Sequence, residues 1–107
     1  MIFHLVEPRA WEQAMERGFL APRSLREEGF VHCSTEDQIL ESASKHFEGQ
    51  DELIVLEIPP KRVKEILRWE PARGGELFPH LYGKISLDMV ENTRMIFRLP
   101  DGNWEWD

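Results

Sequence analysis

Residues 53–58 read Leu-Ile-Val-Leu-Glu-Ile, and this segment gives the strongest strand prediction in the chain. The run is almost continuously apolar and rich in β-branched residues, and Pro59 and Pro60 end it. Such a run predicts a central strand that is covered on both faces. Further out, residues 2–6 read Ile-Phe-His-Leu-Val, a second short apolar run that ends before Pro8 and predicts a buried first strand.

Helical patterns lie between these strands. The segment 8–18 repeats apolar residues at helical spacing and finishes with a glycine, so it predicts a helix. Thr35, with Gln38 three residues later, makes a capping-box pattern that predicts the start of another helix, with Gly49 as its end. Between the two, Ser24 is predicted to cap a short helical turn.

The rest of the chain predicts more strands than helices. Strands are expected at residues 30–34, 78–85 and 93–99, and a short helix is expected around residues 87–90. The segment 63–69 fits the period of a strand and that of a helix, so both remain open. Because strands and short helices mix without the regular alternation of a doubly wound fold, the predicted class is α+β, in one domain over residues 1–107.

The composition is typical of a globular domain. With 107 residues, 41% hydrophobic and 31% charged, the chain can bury a core without disulfides or bound metals to stabilise it, and it is not predicted to be disordered. Its formal charge of −7 argues against a broad surface for duplex nucleic acid, although a local pocket of arginines stays compatible with it. A single cysteine and the lack of an export signal or membrane-spanning run predict a cytoplasmic protein without membrane association.

Three of the four histidines lie inside apolar, strand-like runs, where a solvated histidine is unusual. They are His4, His32 and His80. Side chains alternate along a strand, so His32 and Ser34 share one face, and His80 and Tyr82 share a face in the same way. These positions predict a polar pocket. The alternative is that each histidine only donates a hydrogen bond to a core carbonyl.

Other polar residues allow more than one interpretation. Glu70 precedes a Gly-Gly loop and is predicted either to reach the pocket as an acid, a base or a ribose ligand, or to be a solvated surface residue. Tyr82 and Trp69 could stack on a base, or simply pack. His46 is predicted to be structural, in the last turn of a helix. Cys33 is predicted to be a buried thiol rather than a nucleophile.

Five blocks of the sequence, taken in order, resemble one small bacterial family. They span nearly the whole chain and read IFHLVEPRAWEQA, GFVHCSTEDQ, LIVLEI, LRWE and FPHLYGKI. On these blocks the chain is similar to the family called Domain of Unknown Function 952. That name carries no established activity, so the resemblance implies membership and not a function.

The layout of residues 2–90 resembles, more distantly, the NAD-binding lobe of the RNA 2′-phosphotransferases, which have the ADP-ribosyltransferase-like fold. That family has in order a first-strand histidine, a glycine-hydrophobic step, a Val-His-hydrophobic-Ser strand and a Val-Leu-Glu-hydrophobic strand. Similar features here are His4, Gly18-Phe19, residues 31–34 and residues 55–58. The resemblance implies a split, mixed or antiparallel sheet with short flanking helices, contact of His4 with the nicotinamide ribose, and a dinucleotide pocket lined by His32 and Ser34.

Three functional hypotheses follow from these residues and resemblances. The first is a protein that binds NAD or another nucleotide ligand carrying ADP-ribose, with transferase activity as an option. Its binding residues are His4, His32, Ser34, Thr35 and Tyr82, and its catalytic candidates are His4, His32, Glu70 and His80.

The second hypothesis is a non-enzymatic sensing or protein-interaction domain on the same scaffold, since His4-Leu5-Val6 stands where the phosphotransferases carry His-Gly-Thr. The third, a metal hydrolase, is disfavoured because no two-ligand spacing such as H-x-x-x-H is present, so no metal is predicted.

Overall fold

The computed structural model describes residues 1–107 and contains nine strands and three α-helices. The strands are β1 (Ile2–Val6), β2 (Phe19–Leu20), β3 (Val31–His32), β4 (Glu52–Ile58), β5 (Leu67–Pro71), β6 (Leu77–Leu81), β7 (Ile85–Ser86), β8 (Asn92–Arg98) and β9 (Trp104–Trp106). The helices are α1 (Pro8–Arg17), α2 (Arg23–Glu28) and α3 (Ile39–His46). None of them is long and apolar enough to cross a bilayer.

The larger sheet is antiparallel and has the strand order β1-β4-β8-β9. The strand β4 holds the predicted apolar run and lies inside the sheet, where it pairs with β1 on one side and with β8 on the other. In the register of β1 on β4, His4 is opposite Leu56 and Ile2 is opposite Ile58. His4 therefore lies in the middle of an otherwise apolar sheet face.

A smaller antiparallel sheet has the order β3-β6-β5, and β2 pairs separately with β7. The two main sheets meet where Phe3 and Ser34 exchange two backbone hydrogen bonds of 2.8 Å each. One edge of β1 is thus paired with β4 and the other is joined briefly to the chain that follows β3. A cleft lined by residues of both sheets lies beside this junction.

Two hydrophobic cores lie on opposite faces of the larger sheet. On one face Leu56 and Ile58 pack with α1 and with Val31 and Leu81 of the smaller sheet. On the other face Leu53 and Val55 pack against α3 and β9, with the remaining members Phe3, Leu5, Ile39, Ala43, Ile96 and Trp104. The continuous apolar run of β4 is explained by this double burial, because neither face is left to solvent.

Many of the predicted elements are confirmed. The strand at residues 2–6, the helix that follows Pro8, the central strand and the short helical turn at Leu87–Met89 all occur. The first helix ends at Gly18 with φ of 91°, a left-handed conformation that glycine adopts without strain. The open segment 63–69 passes from a turn into β5 at Leu67. The α+β class is confirmed, and the pairing in all the sheets is antiparallel.

Two strands are shorter than predicted, for reasons that lie outside the local pattern. The strand predicted at 30–34 pairs with β6 only at Val31–His32, because the chain then leaves β6 and Ser34 pairs with Phe3 of β1. The strand predicted at 78–85 breaks after Leu81, where Tyr82 N–H donates to the carbonyl of Ile66 and the chain turns away into β7. In both places the chain passes from one partner strand to another.

Helix boundaries also differ from the prediction. Thr35 N–H does donate to Gln38 Oε1 at 3.0 Å, but a turn follows and α3 begins only at Ile39. The Gln38 amide also donates to Glu76 and to the carbonyl of Leu77, so it joins α3 to β6. The helix ends at His46 rather than at Gly49. The predicted Ser24 cap is wrong, because α2 begins at Arg23 after Pro22.

Candidate functional site

A cleft of about 990 Å³ opens between the two sheets, and all four histidines of the chain line it. His4 comes from β1, His32 from β3, His46 from the end of α3 and His80 from β6. These four elements converge because β1 and β3 are joined at the sheet junction while β6 lies beside β3. The volume is at the upper end of the range of small-molecule sites.

His4 is fixed in one tautomer. Its Nδ1–H donates to the carbonyl oxygen of His32 at 2.7 Å, and a carbonyl can only accept, so the proton is on Nδ1. Burial lowers the pKa of His4 to about 4, and the ring is therefore neutral near pH 7. Nε2 makes no hydrogen bond in the chain and is not one of the fully buried unpaired atoms. It is left as a hydrogen-bond acceptor on the cleft side.

His32 lies at the mouth of the cleft, among other rings. Its side chain is 50% exposed, and Nε2 is 3.0 Å from Oε2 of Glu28, the last residue of α2. The rings of His46 and His80 lie 6.4 and 5.5 Å away, centroid to centroid. Partial burial, followed by the charge of Arg73, lowers the pKa of His46. The mouth thus carries imidazoles at close spacing.

His80 is the most enclosed polar group of the smaller sheet. Its side chain is 6% exposed, and Nδ1–H donates to Glu70 Oε1 at 2.8 Å. The same carboxylate oxygen accepts the Tyr82 hydroxyl at 2.6 Å. These bonds, the one from Tyr82 first, lower the pKa of Glu70, and the shared oxygen raises the pKa of Tyr82. On the other side of the ring, Nε2 is buried without any partner.

Phe30 holds the rings of this region together. It stacks on His80 at 4.2 Å with an interplanar angle of 25°, and meets the edge of His32 at 4.8 Å. It also lies 5.5 Å from Tyr82. Because aromatic contacts of this kind restrict ring rotation, Phe30 fixes the plane of His80.

A serine pair and an arginine form another part of the wall. Ser34 Oγ and Ser42 Oγ are 2.8 Å apart, and both residues are buried. Arg73 donates to Ser42 Oγ at 3.4 Å, lies 3.6 Å from Glu41, and has its guanidinium 4.8 Å from the ring centroid of Phe78. A partly exposed guanidinium held against an aromatic ring is a suitable partner for an anionic group.

The predicted site residues separate into two groups in the structure. His4, His32, Ser34 and His80 line the cleft together. Glu70 and Tyr82 do not line it, but both contact each other, and Glu70 supports His80 from behind. Thr35 is outside the lining and its backbone bonds Gln38. Trp69, a predicted stacking residue, is exposed and also lies away from the cleft.

Sequence reasoning missed four residues of this region. Phe30 shares the strand face of His32 and Ser34 by simple alternation, so that signal was present. His46 was predicted to be at a helix end, which is confirmed, but its position in the cleft wall depends on how α3 packs. Ser42 and Arg73 carry no local signal, because only tertiary packing brings them beside Ser34.

A metal site and a cysteine nucleophile, both disfavoured by the sequence, have no supporting arrangement in the structure. No group of three or more His, Cys, Asp or Glu side chains is placed to hold a metal ion. Cys33 is 4% exposed, and burial raises the pKa of its thiol, which keeps it protonated and unreactive. The buried structural thiol that was predicted is therefore what occurs.

Comparison with known proteins agrees with this architecture. Residues 5–93 match the family described as "Protein of unknown function (DUF952)". The X-ray structure of protein CC0527 from Caulobacter crescentus is 31% identical, with a TM-score of 0.87 over 97% of this chain and 92% of that one. Its solution NMR structure gives a TM-score of 0.82 over 95% and 89%. A search of curated proteins finds no match. The chain therefore belongs to the DUF952 family.

Proposed function

We propose that the cleft binds NAD or another ligand that carries ADP-ribose, with His4, His32 and Ser34 among the groups that contact it. ADP-ribosyl transfer is the reaction that such a complex supports. The single observation that carries the proposal is the convergence of all four histidines, from four separate elements, on one cleft of about 990 Å³. Packing alone gives no reason for four imidazoles to gather at one opening.

The state of His4 supports a binding role for its ring. A neutral imidazole with Nδ1–H fixed by a carbonyl presents a bare Nε2, which accepts a hydrogen bond from a hydroxyl such as that of a ribose. The neutral form is maintained over the physiological range, because burial lowers the pKa of His4 to about 4. The ring is therefore preorganised to accept and carries no charge that would repel a nicotinamide cation.

Two arginines in the lining supply positive charge for a pyrophosphate. Arg73 and Arg23 both line the cleft, and each is only loosely paired, at 3.6 Å to Glu41 and 3.7 Å to Glu27. Exposed pairs of this kind contribute about 0–1 kcal/mol, so they can be exchanged for a phosphate at small cost. Since the chain has a net charge of −7, such local cations matter more than the overall field.

The architecture is consistent with the resemblance to the ADP-ribosyltransferase-like fold. That resemblance implies two facing sheets with the dinucleotide between them. In this chain two antiparallel sheets meet at the Phe3–Ser34 junction, and His4, His32 and Ser34 flank the opening beside it. Of the residues carried over from the phosphotransferase pattern, His4 therefore lies beside His32 and Ser34, although it precedes His32 by 28 residues in the sequence.

The alternative is a scaffold that binds no ligand. In such a scaffold we expect the ring nitrogens of the histidines to be fully hydrogen-bonded within the core. His80 Nε2 is buried and unpaired, and His4 Nε2 has no partner in the chain. A buried nitrogen without a partner costs about 1–3 kcal/mol, so a partner supplied by a bound molecule is favoured over a purely structural role.

The proposal is tested by thermal unfolding of the protein alone and with millimolar NAD, ADP-ribose or nicotinamide. A ligand at about a hundred times its dissociation constant adds roughly 2.7 kcal/mol, which raises the unfolding midpoint by on the order of 10 °C in a domain of this size. We expect NAD or ADP-ribose to give such a shift, and His32→Ala to reduce it.

A matched control keeps the interpretation specific. Glu16→Gln changes an exposed residue of α1 that does not line the cleft, and its ligand-induced shift should equal that of the unaltered protein. If none of the three ligands moves the midpoint, the nucleotide proposal is wrong. If His32→Ala and Glu16→Gln keep the same shift, the ligand binds somewhere other than the cleft.

A further inference from the structure

The unpaired nitrogen of His80 is the one polar atom of the cleft region for which the chain offers neither solvent nor a partner. His80 lines the cleft, its side chain is 6% exposed, and Nε2 has no hydrogen bond. The opposite nitrogen, Nδ1, donates to Glu70. Since the two nitrogens lie on opposite sides of an imidazole, Nε2 points away from the carboxylate.

Glu70 determines which form of the ring is present. A carboxylate can only accept, so its oxygen at 2.8 Å requires the proton of neutral His80 to be on Nδ1 and leaves a lone pair on Nε2. Tyr82 donates to the same oxygen at 2.6 Å and keeps the carboxylate ionised and oriented. A carboxylate behind an imidazole both orients the ring and stabilises the imidazolium that forms when the ring takes up a proton.

The position of this pair relative to His4 suggests separate tasks for the two histidines. His4 is bonded to the carbonyl of His32, and His80 lies 5.5 Å from the ring of the same residue, so both lie beside His32. The carbonyl behind His4 carries no formal charge, and burial lowers the pKa of that ring to about 4. His4 is thus equipped to accept a hydrogen bond and His80 to accept a proton.

We propose that His80, positioned by Glu70, is the general base of the cleft and takes the proton of a water or hydroxyl acceptor that attacks bound NAD. This inference rests on the proposed function and adds the class of acceptor to it. With water, the oxygen forms a bond to the anomeric carbon of the nicotinamide ribose as its proton passes to Nε2. The bond from that carbon to the pyridinium nitrogen breaks, and its electron pair leaves with neutral nicotinamide. The proton then passes from His80 to solvent, and ADP-ribose remains.

Because Nε2 of His80 is buried, an acceptor reaches it only when a neighbouring side chain moves. The ring of His32 lies edge to face on His80, is half exposed, and is held by a contact of 3.0 Å to Glu28 and by the ring of Phe30 at 4.8 Å. A contact between two groups that are each half exposed is weak, so a ligand can displace the His32 ring at little cost. Phe30 is stacked on His80 at 4.2 Å, and this contact restricts rotation of the His80 ring.

The experiment measures nicotinamide released from NAD, together with the NAD-induced shift in unfolding midpoint, for the unaltered protein, His80→Asn, Glu70→Gln and Glu16→Gln. We expect His80→Asn to lower kcat at least about 100-fold, the usual share of a general base, while the midpoint shift persists. Glu70→Gln should lower kcat about 10- to 100-fold with KM unchanged, as for other positioning residues. Glu16→Gln should match the unaltered protein.

The pH profile distinguishes a proton acceptor from a structural residue. Release by the unaltered protein should depend on pH, and that dependence should be absent from the residual activity of His80→Asn. A nitrogen-15 NMR spectrum of the free protein gives a check that needs no ligand. At pH 8 it should show Nδ1 protonated and Nε2 bare in His80, a preference that Glu70→Gln weakens.

Each outcome decides between the two proposals. A midpoint shift with NAD but no nicotinamide release, or release that survives His80→Asn, overturns the general base and leaves binding intact. The absence of any midpoint shift overturns the binding proposal and this one with it. A proton found on Nε2 rather than Nδ1 at pH 8 removes the acceptor and overturns the general base whatever the result with NAD.

Discussion

Replacing His4 with asparagine removes a specific part of the protein's sensitivity to acid. The folded protein holds His4 neutral with a pKa of about 4, whereas the unfolded chain titrates near 6.5. Below 6.5 the unfolded chain therefore binds a proton that the folded protein does not, and stability is lost as the pH falls from 6.5 towards 4. Over this window the loss reaches about 2.5 kcal/mol by about pH 4.5, at 1.36 kcal/mol per unit of pKa difference.

The assay is urea unfolding at a series of pH values from 8 to 4.5, with the free energy of unfolding obtained by linear extrapolation. Asn is the appropriate replacement, because its side-chain N–H can still donate to the carbonyl of His32 while it has no titrating group. We expect the stability of His4→Asn to fall less than that of the unaltered protein, by about 2.5 kcal/mol at the acid end. His46→Asn, at an exposed position, should change the slope much less. Parallel curves for His4→Asn and the unaltered protein would mean that the folded protein does not hold His4 in its neutral form.

Three other predictions follow from single residues. Tyr82 is the only tyrosine, so an absorbance titration of tyrosine reports this residue alone. The hydrogen bond to Glu70 raises the pKa of Tyr82, and Glu70→Gln should therefore lower that pKa towards the ordinary value near 10. An unchanged titration curve in Glu70→Gln would mean that the two side chains are not in contact. Cys33 is the only cysteine and is buried, so a thiol reagent should react only after unfolding, and fast reaction in native buffer would contradict its burial. Leu56→Ala, at a fully buried position of β4, should cost about 2–5 kcal/mol in urea unfolding, and a loss below about 1 kcal/mol would mean that this core is not packed as described.

The sequence predicted those parts of the fold whose signals are local. The run 53–58 is apolar throughout because both faces of β4 are buried, and that pattern is visible without any tertiary information. Gly18 ends α1 through its own backbone freedom, again a local property. Where a strand changes partner, as at Ser34 and after Leu81, the local pattern continues while the pairing does not. Such ends depend on a distant strand and cannot be read from the residues themselves.

The candidate site was predictable in part for the same reason. Histidines in apolar strand runs pointed to a pocket, and alternation correctly grouped His32 with Ser34. The support of His80 by Glu70 was not predictable, because the segment that leads into Glu70, residues 63–69, fitted a helix and a strand equally well. Only the pairing of β5 with β6 brings Glu70 within 2.8 Å of the ring. The bond from His4 to the carbonyl of His32 likewise depends on how the two sheets meet.

The most direct test of a ligand site in the cleft is a titration of NAD followed by nitrogen-15 NMR of the histidine side chains. All four histidines of the chain line the cleft, so every imidazole signal reports on it. We expect saturable shifts for His4, His32 and His80, with the backbone amides of β9, which lies on the opposite core, unchanged. Imidazole signals that stay in place at saturating NAD, or changes confined to β9, would mean that NAD does not bind in the cleft.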